Sequence, residues 1–144
     1  MKWPDYYRTM LALTMYREAR GDGRDAMRAV GHVIRNRVNS GWGDWDHVIT
    51  KKWQFSSISA PGDSQLVVWP DSPDAIFEVA MQLADDIYDG NDQDITGGAI
   101  NYWNPKYATS ASFKKAVETG AFQKTVTIGG HDFFKPAKRS MVTA

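Results

Sequence analysis

The chain has 144 residues, and its 17 basic residues balance 17 acidic ones, giving a formal net charge of zero. This length fits a single domain with a sizeable core, so we expect residues 1–144 to form one domain. The balanced charge argues against a nucleic-acid partner, which would require a basic excess. The sequence contains no cysteine and only three scattered histidines. Disulfides and thiolate metal sites are therefore excluded, and we expect neither a metal ion nor another cofactor.

The start of the chain, Met1 to Asp5, lacks the apolar core of a signal peptide. No apolar run approaches the roughly 20 residues of a membrane span. We therefore expect a protein without a signal peptide and without stable membrane insertion, and we expect a monomer. Six Trp, six Tyr and six Phe residues crowd toward the predicted loops. Aromatic residues beyond the needs of a core indicate a contact surface.

The first predicted helix carries a carboxyl group near its end. We place its N-cap at Asp5, and Gly21 and Gly23 close it. Steps of three and four residues give it an inward-facing stripe that consists of Tyr7, Met10, Leu11, Thr14, Met15 and Glu18.

Glu18 has an unusual place on that stripe. The last turn of a helix is electrostatically poor for an anion, because the negative end of the helix dipole and the unpaired carbonyls lie there. A carboxyl group in this place tends to keep its proton, which suits a general acid near neutral pH. Glu18 is therefore the candidate catalytic residue. The alternative is a surface glutamate paired with Arg17 or Arg20.

A second helix is predicted from Arg24 to Asn39. Its inward stripe consists of Ala26, Ala29, Val30, Val33, Ile34, Arg37 and Val38. The guanidinium of Arg37 needs a partner there, either a carboxylate on the first helix or a backbone carbonyl. The alternative is an arginine whose stem packs while its head reaches water.

The middle of the chain is predicted to be a long loop. A short helix at residues 47–52 precedes an aromatic loop at residues 53–57, and the chain is irregular from Ile58 to Pro70. Loops of this length inside compact domains are usually functional or disordered. The aromatic and apolar content of this loop favours a function.

A core helix is predicted after the long loop. Ser72 as N-cap and Pro73 at the first helical position mark its start, and Gly90 marks its end. Its apolar stripe consists of Ile76, Phe77, Ala80, Leu83, Ala84, Ile87 and Tyr88.

The remaining third of the chain contains an extended loop, a helix and a hairpin. We expect residues 97–105 to line a groove, and the helix spans residues 112–119. Residues 125–134 are predicted to form a β-hairpin across a Gly129-Gly130 turn. No repeat and no internal domain boundary interrupts the chain.

Four groups of residues follow one another along the chain. They are Glu18-Ala-Arg-Gly-Asp22 with Asn36-Arg37-Val38, then Gln54-Phe55-Ser56, then Gly98-Ala99 with Tyr102 and Asn104-Pro105, and then Ile128-Gly129 with His131 and Phe133. In this order they resemble the SleB-type cell wall hydrolases, which comprise the spore-cortex-lytic enzymes and their phage endolysin relatives. The resemblance extends from about Leu11 to Phe134. Two positions depart from it: Asp22 stands in place of the family's usual second acid, and Ala26-Met27 stands in place of its usual Gly-Gln.

The resemblance implies an α+β, mainly helical, lysozyme-like domain with a cleft for sugars and a small C-terminal β-hairpin. It also implies cleavage of the glycosidic bond between N-acetylmuramic acid and N-acetylglucosamine in bacterial peptidoglycan. Glu18 matches the catalytic acid of the family. The residues themselves agree, because glycan cleavage needs a proton delivered to the leaving oxygen, and a partly buried glutamate can stay protonated for that purpose.

The sequence leaves a second catalytic group open. Asp22 and Asp25 are the nearby candidates for a nucleophile or a water-activating base, but a glycine-broken turn does not fix their distance from Glu18. Relatives of this fold often work with one glutamate, the N-acetyl group of the substrate acting as nucleophile and the product closing to an anhydro sugar. We favour that lytic-transglycosylase-like mechanism over hydrolysis by a muramidase.

Three candidates for substrate binding are polar. Tyr102 and Asn104 match landmarks of the family and are candidates to hold the N-acetyl group or a ring hydroxyl; alternatively, Asn104 only forms the turn before Pro105. Ser56 is a candidate to bond Glu18 or a sugar, and its alternative role is a local cap.

Four further candidates are aromatic or imidazole side chains. Trp53, Phe55 and Trp103 either stack on sugar faces or belong to the core. His131 either lines the cleft or has a structural role.

The rival interpretation is a non-catalytic glycan-binding or virion structural module of the same fold. A lone glutamate at a helix end, which binding alone does not need, favours the enzyme. The missing signal peptide predicts that the protein stays in the cytoplasm until it is released to the cell wall, as a bacteriophage endolysin is released through a holin pore.

Overall fold

The computed structural model describes residues 3–51, 54–71, 73–106 and 110–137, apart from the side chains of residues 3, 4, 56 and 59. Within these ranges the helices are α1 (Trp3–Ala19), α2 (Arg24–Asn39), α3 (Trp45–Thr50), α4 (Ser56–Ser59), α5 (Ala75–Asp89) and α6 (Ala111–Glu118). The strands are β1 (Asn101–Trp103), β2 (Phe122–Ile128) and β3 (His131–Pro136). Short 3₁₀ turns lie at Arg20–Asp22 and Ser64–Val67.

The three long helices α1, α2 and α5 pack against one another. Their apolar stripes meet in the main hydrophobic cluster, whose buried members include Leu11, Met15, Ile34, Leu83 and Ile87. Burial of each such side chain stabilises the fold by about 1.5–3 kcal/mol. This packing fixes the direction of α1 and therefore the place where its last turn ends.

The opposite face of α2 packs on the sheet. Ala29 and Val33 form a second buried cluster with Ala99 and Phe133. The helix α2 therefore lies between the helical core and the strands, and it sets the distance between them.

Polar contacts from α2 also hold the connector between α5 and β1. Arg28 Nε donates to Asp92 Oδ2 at 2.7 Å, and Asn36 Nδ2 donates to Asp94 Oδ2 at 2.9 Å. The buried His32 places Nε2 at 2.5 Å from the same Asp92 oxygen. These contacts give β1 a fixed starting point beside α2.

The sheet is antiparallel, with the strand order β1-β3-β2. Tyr102 lies opposite Phe133, and Ile128 lies opposite His131. The turn between β2 and β3 is Gly129-Gly130, with φ angles of 58° and 79°. Two consecutive positive φ angles are what a two-residue hairpin turn of this kind needs, and glycine adopts them without steric cost.

The predicted mainly helical α+β class and the C-terminal hairpin are confirmed. The helix α2 has the predicted bounds, α5 ends before Gly90, and α6 follows the prediction to within one residue. The sheet has a third strand, β1, within the segment predicted as an extended loop, because the backbone of residues 101–103 pairs with β3.

Two predicted helix starts are wrong. The helix α1 begins at Trp3, so that Asp5 lies in its first turn, where an acidic side chain also favours the helix dipole. The helix α5 begins after Asp74, whose side chain accepts a hydrogen bond of 2.9 Å from the Phe77 backbone N–H. Ser72, the predicted cap, lies outside the described residues.

The long loop is more ordered than predicted, because α4 and a 3₁₀ turn lie within it. The helix α3 begins two residues earlier than predicted. Ile76, predicted in the buried stripe, is 48% exposed, since it borders an open groove that Arg20 and Met27 also line. None of the helices in the described ranges is long and apolar enough to cross a bilayer.

Candidate active site

Glu18 is the penultimate residue of α1, where the helix gives way to the 3₁₀ turn. Its carboxyl group interacts with the loop between α3 and α5 on one side and with the sheet on the other. Burial raises the pKa of Glu18 above its usual value, because the charged form loses hydration. Burial therefore favours the protonated form of the side chain, which is the form that the sequence predicted.

The alternative of a surface ion pair with Arg17 or Arg20 is wrong. Arg20 donates to the Tyr16 backbone carbonyl at 3.2 Å and to Gln65 Oε1 at 2.7 Å. Arg17 is buried, and its guanidinium donates to three backbone carbonyls of the loop between α3 and α5. Because neither arginine binds Glu18, no cation neutralises the carboxylate from its own helix.

Tyr102 on β1 is the direct partner of Glu18. Its hydroxyl donates a hydrogen bond of 3.2 Å to Glu18 Oε1. Its ring stacks on Phe133 with the centroids 5.4 Å apart, and His131 meets it edge-on at 5.4 Å. Burial and the neighbouring carboxyl group raise the pKa of Tyr102 well above its usual value. The phenol therefore stays protonated and remains a donor.

The loop supplies two further groups next to Glu18. The buried Ser57 hydroxyl lies close enough to the carboxyl group to lower the pKa of Glu18, although it makes no hydrogen bond of good geometry within the described residues. Asp63 has the opposite effect and raises the pKa of Glu18 through its negative charge. Its other role is local, since its Oδ1 accepts the Gln65 backbone N–H at 2.8 Å.

Arg17 holds this loop in place. Its guanidinium donates to three backbone carbonyls, those of Ser57 at 3.0 Å, Leu66 at 3.3 Å and Val68 at 3.1 Å. Burial lowers the pKa of Arg17, but an arginine remains charged at any pH of interest. One side chain of α1 therefore fixes the loop that faces the next residue of α1, Glu18.

The hairpin turn brings His131 to the site. An added Cβ at Gly129 would lie 2.9 Å from Ala26 Cβ and 3.0 Å from Asp22 Cβ, so the turn packs directly on the start of α2. His131 Nδ1 then lies 3.9 Å from Asp22 Oδ2. The positive charge of protonated His131 lowers the pKa of Glu18.

Arg37 lies beneath this arrangement and is buried. Its Nε donates to the Ile100 carbonyl at 2.7 Å, which confirms the predicted backbone partner. The guanidinium carbon also lies 5.0 Å from the Trp42 ring centre and 5.3 Å from that of Phe55. Its charge lowers the pKa of Tyr102. Arg37 therefore anchors the start of β1, on which Tyr102 is carried.

A comparison with protein families identifies the family of the chain. The family model described as Cell Wall Hydrolase matches residues 21–134. The chain belongs to the cell wall hydrolase family. The match begins just after Glu18, so the helix end that carries the carboxyl group lies outside it.

Two solved structures of this cell wall hydrolase type are similar over nearly the whole chain. The catalytic domain of the germination-specific lytic transglycosylase SleB from Bacillus anthracis has a TM-score of 0.67 and 31% identity, over 94% of this chain and 97% of that chain. The catalytic domain of the Bacillus cereus SleB protein has a TM-score of 0.69 and 28% identity, over 91% of each chain. The predicted resemblance to the SleB-type family is confirmed.

A curated relative of the hydrolase is the spore cortex-lytic enzyme of Halalkalibacterium halodurans, which is 36% identical over 101 residues. The aligned part is 70% of this chain but 28% of the relative. The chain therefore corresponds to only part of that longer protein.

The structure corrects one of the candidate sugar-stacking residues of this cell wall hydrolase. Phe55 is fully buried, because it packs in the main core beneath Arg37. Trp103 packs edge-on against Phe113 and Phe134 at 4.8 and 5.6 Å, and its indole nitrogen is buried. Phe55 therefore belongs to the core, which was the alternative, whereas Trp103 is only partly buried and its stacking on a sugar stays a prediction.

Asn104 forms a turn, since its Oδ1 accepts the Lys106 backbone N–H at 3.0 Å, and its contact with the substrate stays a prediction. The Ser56 side chain and Trp53 lie outside the described residues. Of the candidates for substrate binding, the structure therefore brings Tyr102 and His131 to Glu18.

Sequence reasoning missed Ser57, Asp63 and the role of Arg17. Ser57 was missed because the Gln54-Phe55-Ser56 landmark pointed to the neighbouring serine, Ser56. Asp63 follows the breakers Pro61-Gly62 and reads as an ordinary turn cap. Nothing in the local pattern links either residue to a helix more than 35 positions earlier.

The described residues contain no group of three histidine or acidic side chains arranged to hold a metal ion.

Proposed function

We propose that this chain cleaves the glycan strands of bacterial peptidoglycan between N-acetylmuramic acid and N-acetylglucosamine, with Glu18 as general acid and then base. Family membership and the similarity to the lytic transglycosylase of Bacillus anthracis support this substrate and this reaction. The observation that carries the proposal is the buried Glu18 carboxyl group, whose pKa is raised by burial and whose Oε1 is held by the Tyr102 hydroxyl.

The first step is proton delivery. Because Tyr102 donates to Oε1, the proton of the neutral acid resides on Oε2, which is the oxygen left to reach the substrate. Transfer of this proton to the glycosidic oxygen lets the bond from the anomeric carbon break, since the leaving sugar departs as an alcohol. The raised pKa of Glu18 keeps a larger fraction of the enzyme in the protonated form near neutral pH.

The ionised carboxylate is then stabilised by the same surroundings. The hydroxyls of Ser57 and Tyr102 and the charge of protonated His131 all lower the pKa of Glu18, which means that they favour its anion. Burial favours the protonated form of Glu18, whereas these neighbours favour its anion, so the two effects oppose each other. Their balance suits a group that must give up and regain a proton in each cycle.

Neither Asp22 nor Asp25, the two candidates near Glu18 in sequence, is an obvious nucleophile. Asp25 has a largely exposed side chain and lies 3.9 Å from Arg24, and Asp22 lies next to His131. We therefore propose that the carbonyl oxygen of the substrate's own N-acetyl group bonds to the anomeric carbon as the glycosidic bond breaks. The 6-hydroxyl of the same sugar then displaces that oxygen and gives its proton to Glu18, which closes an anhydro ring and restores the acid.

Mass spectrometry of digested peptidoglycan tests this reaction. We expect anhydro-muramic products and no incorporation of heavy oxygen when the digestion is run in heavy-oxygen water. Reducing ends that carry heavy oxygen would show hydrolysis instead, and would favour a second carboxylate as base. An absence of any cleaved product with intact glycan binding would support the rival interpretation, a non-catalytic glycan-binding or virion module.

Two finer expectations remain predictions. The monomeric state and the release of the protein as a bacteriophage endolysin through a holin pore rest on the sequence alone. Expression in bacteria checks the second: the culture should clear only after the inner membrane is permeabilised.

A further inference from the structure

Trp69 is an aromatic residue that the reaction described above does not use. It follows the 3₁₀ turn of the long loop and is 67% exposed. Within the described residues, the other exposed large hydrophobic side chains are Val67 and Ile76. A mostly exposed indole keeps a large apolar surface in water, which indicates a contact surface when the ring is also held in place.

Arg17 holds the ring in place. Its guanidinium carbon lies 4.6 Å from the centre of the Trp69 ring, so one side of the indole rests on a fixed cation. The guanidinium is itself immobilised by three backbone carbonyls, one of which belongs to Val68, the residue before the tryptophan. The other side of the indole is left open to a ligand.

The same arginine connects this ring to the proposed active site. Arg17 Nη1 donates to the Ser57 backbone carbonyl at 3.0 Å, and the Ser57 side chain lies at the Glu18 carboxyl group. Trp69 therefore contacts Arg17, and Arg17 binds Ser57, the residue that faces Glu18. Trp69 and Ser57 lie on the same loop between α3 and α5.

We propose that Trp69 is a sugar-binding platform, on whose open face a pyranose ring of the glycan strand stacks outside the bond that is cleaved. The proposal rests on the proposed function and names a further subsite for the same substrate. A pyranose presents a face of C–H groups that an indole can cover, while its hydroxyls stay in water at the rim. A preordered ring loses little conformational entropy when the ligand binds.

Binding measurements in the inactive Glu18→Gln background test the platform. The ligand is soluble glycan strands from which the stem peptides have been removed, titrated calorimetrically. We expect Trp69→Ala to weaken binding about three- to tenfold. Trp69→Phe should restore most of this loss, because it keeps an aromatic face. Trp69→Leu should behave like the alanine variant, because it keeps apolar area without a flat face.

Val67→Ala is the matched control, since Val67 is 81% exposed on the same loop but has no ring. We expect it to bind as tightly as the Glu18→Gln protein. Unchanged binding by Trp69→Ala would overturn the platform, and so would an equal loss in the valine variant or full binding by the leucine variant. A wild-type protein that cleaves nothing while Trp69→Ala still weakens binding would overturn the proposed reaction and leave the platform standing.

Discussion

The Tyr102 hydroxyl donates a hydrogen bond of 3.2 Å to Oε1 of Glu18 and so links β1 to the end of α1, across 84 positions of the sequence. Burial and the neighbouring carboxyl group raise the pKa of Tyr102 well above its usual value, so it remains a neutral donor at neutral pH. Tyr102 therefore orients the carboxyl group without neutralising it. The ionisation of Glu18 should respond when this donor is removed.

Removing the tyrosine hydroxyl should extend activity to higher pH. The hydrogen bond from Tyr102 lowers the pKa of Glu18, so Tyr102→Phe should raise that pKa further. Because the acid must be protonated to act, the alkaline limb of the kcat/KM profile should move to higher pH. The pH dependence of kcat/KM on soluble glycan strands measures this shift, whatever the change in maximal rate.

Asp63→Asn is the matched variant, for which we expect the pKa of Glu18 to shift in the opposite direction. The charge of Asp63 raises the pKa of Glu18, and asparagine keeps the oxygen that caps the Gln65 N–H. The alkaline limb should therefore move to lower pH. Shifts in the same direction for both variants would show that the limb does not report the ionisation of Glu18.

The two aspartates near the end of α1 should matter far less than Glu18. Asp25→Asn should leave the rate unchanged, since its side chain is largely exposed and lies by Arg24. Asp22→Asn should cost less than about tenfold, because it acts only through His131, whereas general acid catalysis contributes about 10² to 10⁴. Dye release from labelled peptidoglycan measures both. A loss of about 10³ in either variant would favour a hydrolase with two carboxylates.

The two glycines of the hairpin turn should not be equivalent. Both have positive φ, so alanine strains the backbone at either position, by about 1–2 kcal/mol. At Gly129 the new Cβ would also lie 2.9 Å from Ala26 and 3.0 Å from Asp22, whereas at Gly130 it would meet nothing within 4 Å. Gly129→Ala should therefore be less stable than Gly130→Ala by about 1–3 kcal/mol.

Urea unfolding measures this difference, and the activity of each variant accompanies it. Because the turn positions His131, Gly129→Ala should also lose more activity than Gly130→Ala. Equal stability of the two variants would mean that the turn does not pack on α2 as described.

Glu18→Gln should make the protein more stable at neutral pH. Burial raises the pKa of Glu18 in the folded state, so the stability due to the bound proton is present below the unfolded pKa and is lost as pH rises through the folded pKa. Glutamine carries no such loss. Thermal unfolding should give a gain for the variant at neutral pH that vanishes at acidic pH. A gain independent of pH would indicate packing rather than ionisation.

The elements that follow from local pattern were predictable from the sequence. The bounds of α2 and the hairpin around Gly129-Gly130 were predicted because periodicity and turn residues act over a few positions. The helix start at Asp74 was missed, since Ser72-Pro73 offered an equally good local signal. The strand β1 was missed because three residues carry no pattern, and only its pairing with β3 makes it a strand.

The candidate site, too, was predictable only where a local pattern or a family landmark marks the residue. Glu18 was predicted from its place at a helix end, and Tyr102 from a family landmark. Ser57 and Asp63 act on Glu18 through a loop whose course depends on Arg17 and three backbone carbonyls. Phe55 and Trp103 were open alternatives because an aromatic residue in a loop looks the same in sequence whether it faces the core or the cleft.

The rate at which purified Glu18→Gln cleaves peptidoglycan tests the central claim most directly. The protein must first be shown to be folded and to bind glycan strands as the wild type does. We predict a loss of about 10² to 10⁴ in rate, because glutamine keeps the shape of the side chain and the acceptor for Tyr102 but has no proton to donate. Cleavage within a few-fold of the wild-type rate by this folded variant would contradict the assignment of Glu18 as the acid.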